Sequence, residues 1–350
     1  MKLPTIHPDP GEASLSTRLV KLIQSFATPR ITVVGDLIAD EFIYGRLDRV
    51  SREAPVLILQ YDSTEVTPGG AGNAAHNVAA MGGRADLIGL VGHDEMGRRL
   101  AASFPRRVVR RRLVRPAGYR TPTKTRILAG GIHSARQQVV RIDRAGVAIT
   151  RALRDAVREQ AVAAAAESDA VVISDYGSGL ITPALVTAVK RALPRRRRRA
   201  AAPVLLDSRY ALLRYRGLSI AAPNESEVEG LLGVSIGDDP RALEWAGREI
   251  LARTRMQATL ITRGSRGMAL FEPKRPTQHI PIFGSDEVAD VTGAGDTVIA
   301  TMAMALSVGA SFAEAALLAN YAGGLVVMKR GTATVSAQEL LHAVTTDLAP

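Results

Sequence analysis

The sequence predicts an α/β fold: a mostly parallel sheet with helices on both faces, plus a small β-sheet lid. Three observations lead there. Short apolar runs at 31–34, 170–174 and 203–207 are bounded by turn residues and separated by helical stretches, the pattern of parallel strands buried on both faces. Exposed-type strands within 43–61 and 120–142 interrupt that alternation and predict a small separate sheet, a lid or a dimer contact. A glycine turn, Gly293-Ala294-Gly295-Asp296, opens the helical stretch that ends the chain.

Taken in order, residues 1–29 read as an N-terminal extension and 30–345 as the domain. The strand at 31–34 closes on Gly35-Asp36, with a ligand-facing loop to Asp40, and 56–61 is a second strand. Residues 69–81 read as a Gly-rich start followed by a helix of small residues, and 85–91 as a strand. Segments 123–129 and 137–142 are exposed strands joined by a Gly-containing turn. Helices follow at 151–167, between the next two strands, near 225–232 and near 241–254. Strands at 218–222, 258–262 and 268–271 complete the alternation. Ligands of such sheets sit at the carboxyl ends of strands.

The chain holds 350 residues, 46% of them hydrophobic, with no cysteine. One large domain or two modest ones fit that length. Disulfides and thiolate metal sites are excluded. The start lacks an apolar signal core and no stretch reads as a membrane span, so a cytoplasmic enzyme is expected. The net charge is +11. Two clusters, Arg106 to Arg115 and Arg195 to Arg199, hold eleven arginines and carry all of it. Both lie between periodic segments without interleaved aromatics, so they read as solvated loop charge rather than a nucleic-acid site.

Five constellations carry chemistry. In the first, Asp290-Val291-Thr292-Gly293-Ala294-Gly295-Asp296 precedes an apolar helix. Bare N–H groups at a helix start bind anions, and Asp296 beside them is either a helix cap or a base. Anion cradle and carboxylate together suit phosphoryl transfer to an alcohol. In the second, Asp36 and Asp40 follow the first strand, where carboxylates accept hydrogen bonds from sugar hydroxyls or are ordinary loop acids. In the third, Gly69, Gly70 and Gly72 allow close backbone approach, and Asn73 both donates and accepts. Gly70-x-Gly72-x-x-Ala75 mimics a dinucleotide fingerprint, but residues 62–68 separate it from its strand, against the direct turn such a site wants. In the fourth, Asn224 to Glu227 opens a helix; Glu227 is either a magnesium ligand through water or an acid favoured by the helix dipole. In the fifth, Thr262-Arg263-Gly264-Ser265-Arg266-Gly267 is a hairpin turn or a loop over nucleotide phosphates. No lysine follows a glycine anywhere, which excludes a P-loop.

In order and spacing these sites resemble the ribokinase/PfkB carbohydrate kinases over residues 30–345. Asp290 to Asp296 is similar to that family's carboxyl-terminal signature. Gly69-Gly70-x-Gly72-Asn73 is similar to its amino-terminal one, and Asn224-x-x-Glu227 to its magnesium motif. Residues 35–45, 49–56, 137–143 and 174–177 narrow the resemblance to the heptose kinases of lipopolysaccharide-core synthesis.

The resemblance implies a ribokinase-like fold and ATP-dependent phosphorylation of the C1 hydroxyl of D-glycero-β-D-manno-heptose 7-phosphate. It implies Asp296 as base, with the main-chain N–H groups of Gly293, Ala294 and Gly295 holding the transferred charge. Asp36, Asp40, Gly69, Gly70 and Asn73 would meet the sugar, and Arg120, Lys124 and Arg126 its 7-phosphate. Thr262, Gly264, Ser265, Gly267 and Asn320 would contact the nucleotide, with Asn224 also near it. Mg2+ would sit near Glu227 and Asn224, and a monovalent cation such as K+ near Asp290. A homodimer through the lid sheet is also implied, with no nucleic-acid or membrane partner. Many heptose kinases carry a second, adenylyltransferase domain; ending at Pro350, this chain is expected to stop at the 1,7-bisphosphate.

Overall fold

The alternation of strands and helices produces two sheets in the computed structural model, which describes residues 14–105, 109–130, 137–194, 201–284 and 290–348. The strands are β1 (Arg30–Gly35), β2 (Leu37–Val50), β3 (Leu57–Gly70), β4 (Arg84–Leu90), β5 (Val109–Val114), β6 (Thr123–Gly130), β7 (Gln137–Arg144), β8 (Ala170–Asp175), β9 (Val204–Ser208), β10 (Ile220–Ala221), β11 (Ala258–Thr262), β12 (Met268–Phe271) and β13 (Gln278–Ile280). The helices are α1 (Leu15–Gln24), α2 (Ala71–Ala80), α3 (Glu95–Ser103), α4 (Arg151–Ala165), α5 (Pro183–Ala192), α6 (Glu225–Leu232), α7 (Pro240–Thr254), α8 (Ala294–Ser307), α9 (Phe312–Val327) and α10 (Ala337–Asp347).

The large sheet runs β13-β12-β11-β10-β9-β8-β1-β4-β5. It is parallel from β5 to β11, and β12 and β13 close it antiparallel. Successive side chains of a strand point to opposite faces, and the two cores follow that rule. Ile31 and Val33 join one core beneath α1, α2, α8, α9 and α10; Val34 joins the other, beneath α4, α5 and α7. In β8, Ala170 and Val172 face the first core while Val171 and Ile173 face the second. Strand β8 is buried at every position and its neighbours β1, β4 and β9 at all but one, hence their nearly continuous apolar runs.

The small sheet runs β3-β2-β6-β7 and is the expected lid, with several differences from the sequence expectation. Its strand β2 begins at Leu37, so Asp40 is a strand residue rather than a loop acid, with Glu41 beside it on the strand. Apolar alternation is hidden there because two buried carboxylates interrupt it. Each finds its partner on β6: Arg126 donates to Asp40 at 2.5 Å and Thr125 to Glu41 at 2.6 Å. Strand β6, expected to be exposed, is buried at half its positions and exposed at none, whereas β7 is exposed throughout. Part of the first arginine cluster lies in β5, paired with β4, rather than in a loop; Arg195 to Arg199 lie outside the described residues. Helix α1 belongs to the domain, since Leu19, Leu22 and Ile23 enter the first core. No helix among the described residues is long and apolar enough to cross a membrane.

Candidate active site

Helix α8 starts without a side-chain cap. Gly293 occupies the cap position at φ +80°, a left-handed conformation in which an added Cβ would also meet Asn73 Nδ2 at 2.4 Å. Glycine is required there on both counts. The Ala294 N–H turns back onto the Val291 carbonyl at 3.2 Å, so it is not free to hold an anion as expected. The N–H groups of Gly293, Gly295 and Asp296 have no backbone acceptor among the described residues. Together with the helix dipole they make an anion-binding end. Asp290 braces the loop, accepting from Thr292 N at 2.9 Å and Gly331 N at 3.0 Å.

Asp296, in the first turn of α8, is 2% exposed. Asn73 Nδ2 donates to its Oδ2 at 3.0 Å and the Tyr176 hydroxyl to its Oδ1 at 3.1 Å. Burial pushes its carboxyl up to about 7, against the pull of those two hydrogen bonds; Asp40 adds to the rise and Lys124 opposes it. A carboxylate with that pKa changes protonation near neutrality, as a base for alcohol activation should.

The Gly293–Asp296 turn opens onto a cavity of about 570 Å³ that most of the expected residues share. Asp40, Gly70, Lys124 and Arg126 line it, as do Asn224, Glu227, Thr262, Gly264, Ser265, Gly267 and Asn320. The β11–β12 connection is both a hairpin and a cavity wall. Arg263 and Arg266 tie it to Glu225 at the head of α6. At that head, Asn224 and Glu227 form a reciprocal capping box: Asn224 Oδ1 accepts from Glu227 N at 2.8 Å, and Glu227 Oε2 from Asn224 N at 3.0 Å. Glu227 nonetheless faces the cavity, and burial raises its pKa. Asn320 spends one amide hydrogen on the Pro281 carbonyl at 2.9 Å.

Five expected residues are placed off the cavity wall. Asp36 is 6% exposed and accepts from Tyr176 N at 2.8 Å, from Ser178 N at 3.4 Å and from the Ser178 hydroxyl. It clasps a turn instead of facing a ligand. Asn73, 1% exposed, stands behind Asp296; its amide serves Asp296 and the Gly293 carbonyl, and its Oδ1 accepts from Asn77. Gly69 makes room for Asp40, whose Oδ2 an added Cβ would meet at 2.2 Å. Arg120 is exposed, and Asp290 is the brace already described. Arg126 lines the cavity but is paired with Asp40.

Sequence reasoning gave no site role to Asp207 and Arg209, and met Tyr176 and Arg141 only through resemblance. All four line the cavity. Tyr176 and Asp207 stand at the carboxyl ends of β8 and β9, where the ligand rule for parallel sheets would have found them. Asp207 accepts no side-chain hydrogen bond from any described residue. Burial drives its carboxyl well above the ordinary range, and Asp296 and Glu227 push it further, with Arg209 in opposition. Lys124 is lowered by burial first; Asp40 supports its charge, while Arg209, Arg141 and Arg126 repel it. Carboxylates and cations are interleaved on the cavity wall: Arg209 lies near Asp207, Glu227 and Lys124, and Asp40 near Lys124 and Arg126. Among the described residues no three His, Asp or Glu gather as a metal cage.

Comparison with known proteins agrees with this architecture. Residues 29–339 match the pfkB family carbohydrate kinase profile. The chain is 41% identical over 331 residues to the bifunctional protein HldE of Caulobacter vibrioides, covering 92% of this chain and 65% of that protein. It therefore spans just under two thirds of that relative's length. Arabidopsis thaliana ribokinase complexed with ribose and ATP superposes with a TM-score of 0.67 at 20% identity, covering 91% of this chain and 99% of that one. Escherichia coli phosphofructokinase-2 in complex with potassium gives 0.71 at 18%, over 91% and 99%. At those identities the two structures establish the shared fold.

Proposed function

We infer the reaction from the premise that this chain belongs to the pfkB family of carbohydrate kinases: it transfers the γ-phosphoryl group of ATP to the C1 hydroxyl of D-glycero-β-D-manno-heptose 7-phosphate. One observation carries the proposal. Asp296 is a buried carboxylate with a pKa of about 7 at an uncapped helix start, on a cavity lined by lid cations and by the 262–267 hairpin. The heptose assignment is supported by the likeness of segments 35–45, 49–56, 137–143 and 174–177 to the heptose kinases.

Asp296 accepts the C1 hydroxyl proton as that oxygen bonds to the γ-phosphorus and the bridging oxygen of ADP departs. The Gly293, Gly295 and Asp296 N–H groups steady the charge on the transferred group; such preorganised donors supply much of the catalysis in phosphoryl transfer. Asp40 reads sugar hydroxyls with its geometry set by Arg126. Lys124 and Arg209 are the cations that meet the sugar's phosphate, in place of the expected Arg120 and Arg126; Arg141 lines the cavity too but is paired with Asp143.

The neighbouring pair Asp207 and Glu227 fits Mg2+. Asp207 and Glu227 present two acids whose charge burial disfavours, and magnesium takes one or two carboxylates along with water and phosphate oxygens. Bound there, Mg2+ would neutralise phosphate charge. A monovalent cation near Asp290 and a homodimer through the lid remain part of the proposal. Exposed Leu47, Val50, Leu57, Tyr61 and Val140 on the lid strands support the latter.

The test is ADP release from Mg-ATP with a panel of sugars and sugar phosphates. The heptose 7-phosphate should give the highest kcat/KM and a 1,7-bisphosphate product. Equal turnover of unphosphorylated sugars would refute the substrate assignment.

A further inference from the structure

Three segments distant in sequence converge on Tyr176. The Asp36 carboxylate grips the turn after β8, taking hydrogen bonds from the backbone of Tyr176 and Ser178 and from the Ser178 hydroxyl. Gly177 and Gly179 in that turn have positive φ, so the chain reverses tightly. The reversal lays the Tyr176 ring against Gly70, where an added Cβ would stand 3.4 Å from a ring carbon. From there the phenol donates to Asp296 Oδ1. Lys124 Nζ lies 5.4 Å and the Arg209 guanidinium 5.9 Å from the ring centroid, within cation–π range.

A carboxylate held through one oxygen turns about its Cβ–Cγ bond. Asp296 is held through both, by Asn73 on Oδ2 and Tyr176 on Oδ1. Catalytic groups need their supporting contacts to keep lone pairs aimed at the reacting atom. We propose that Tyr176 is a positioning residue for phosphoryl transfer: pinned by Asp36, it fixes the Asp296 carboxylate so that its remaining lone pairs face the substrate hydroxyl. The proposal rests on Asp296 being the base. It also gives Asp36 a role that involves no contact with the sugar.

The electrostatics have a definite sign. The phenol stabilises the ionised carboxylate and pulls Asp296 down from where burial alone would leave it. Burial and the neighbouring Asp296 keep the phenol protonated, hence able to donate to the carboxylate. The other charged groups facing Asp296 are Asp40 on β2, Lys124 on β6, and Asp207 and Arg209 at the end of β9. None of them is touched by Tyr176→Phe, which keeps the ring and its cation contacts.

The test is the pH dependence of kcat for native protein and Tyr176→Phe at saturating ATP and sugar phosphate. Losing a hydrogen bond to a charged acceptor should move the acid limb up by about one pH unit. At pH 7 that shift alone should lower kcat about fivefold, with KM for ATP unchanged. An unmoved limb overturns the proposal, whether kcat falls or not. Site-specific 3-fluorotyrosine at 176, a stronger donor, should move the limb down and serves if the phenylalanine variant folds poorly; an upward or absent shift there also overturns it. Full turnover of Asp296→Asn would instead overturn the base assignment, whatever Tyr176→Phe does.

Discussion

Asp296→Asn should make this protein more stable while nearly abolishing its turnover. The folded carboxyl has a pKa of about 7 against an ordinary value of 3.8. A difference of roughly three units corresponds to about 4 kcal/mol. The folded state binds the proton more tightly than the unfolded chain. The associated stability is therefore fully present below 3.8, is lost progressively as pH rises towards 7, and is absent above. At pH 8 the native protein carries the whole penalty, up to about 4 kcal/mol; at pH 5.5 it carries about half.

Asparagine has no such penalty. Its Oδ1 still accepts from Asn73, and its Nδ2 donates to the Tyr176 hydroxyl, which can rotate to accept. The variant's apo melting temperature should therefore rise by about 5 °C at pH 8 for a chain of this size, by less at pH 5.5, and not at all near pH 4. Turnover should fall on the order of 10²–10⁴-fold, the usual worth of a general base, with near-normal ATP binding. Thermal melts at the three pH values, with coupled ADP-release kinetics, read both effects. A variant less stable than native at pH 8, or one keeping half its turnover, would refute the reasoning.

Gly293→Ala puts a side chain at φ +80° and against Asn73, so a loss of about 1–3 kcal/mol in stability and at least a tenfold fall in kcat are expected in melts and initial rates. Lys124→Ala should raise KM for the phosphosugar about tenfold and leave that for ATP unchanged; equal effects on both would argue against a role at the sugar's phosphate. Glu227→Gln preserves the capping box, since glutamine also serves at that position. A several-fold higher Mg2+ requirement with unchanged melting temperature would separate the metal role from the cap.

Parallel strands, their covering helices and the glycine turn before α8 were legible because each is written in consecutive residues. Apolar runs report strands buried on both faces, and a glycine pair before a helical stretch reports an open helix end. Residues 37–42 were not legible as strand. Their two carboxylates look like loop acids until Arg126 and Thr125 arrive from β6, more than eighty positions later. Asp36 and Asn73 were recognised as belonging to the site, but their tasks were not. Asp36 lies 140 positions from the Tyr176 amide it holds, and Asn73 lies 223 from Asp296.

From sequence alone come the fold class, the anion-binding helix start and the identity of Asp296 as the candidate base. Local spacing carries the first two; the third rests on the resemblance to the ribokinase/PfkB kinases. Tertiary structure alone decided which groups face the cavity and which stand behind it. It turned the Ala294 N–H away, spent Arg126 on Asp40, and brought Tyr176, Asp207 and Arg209 to the site. The physical reason is that a side chain's free lone pairs and hydrogens are those left after its neighbours in space have taken theirs, and those neighbours come from strands far apart in the chain.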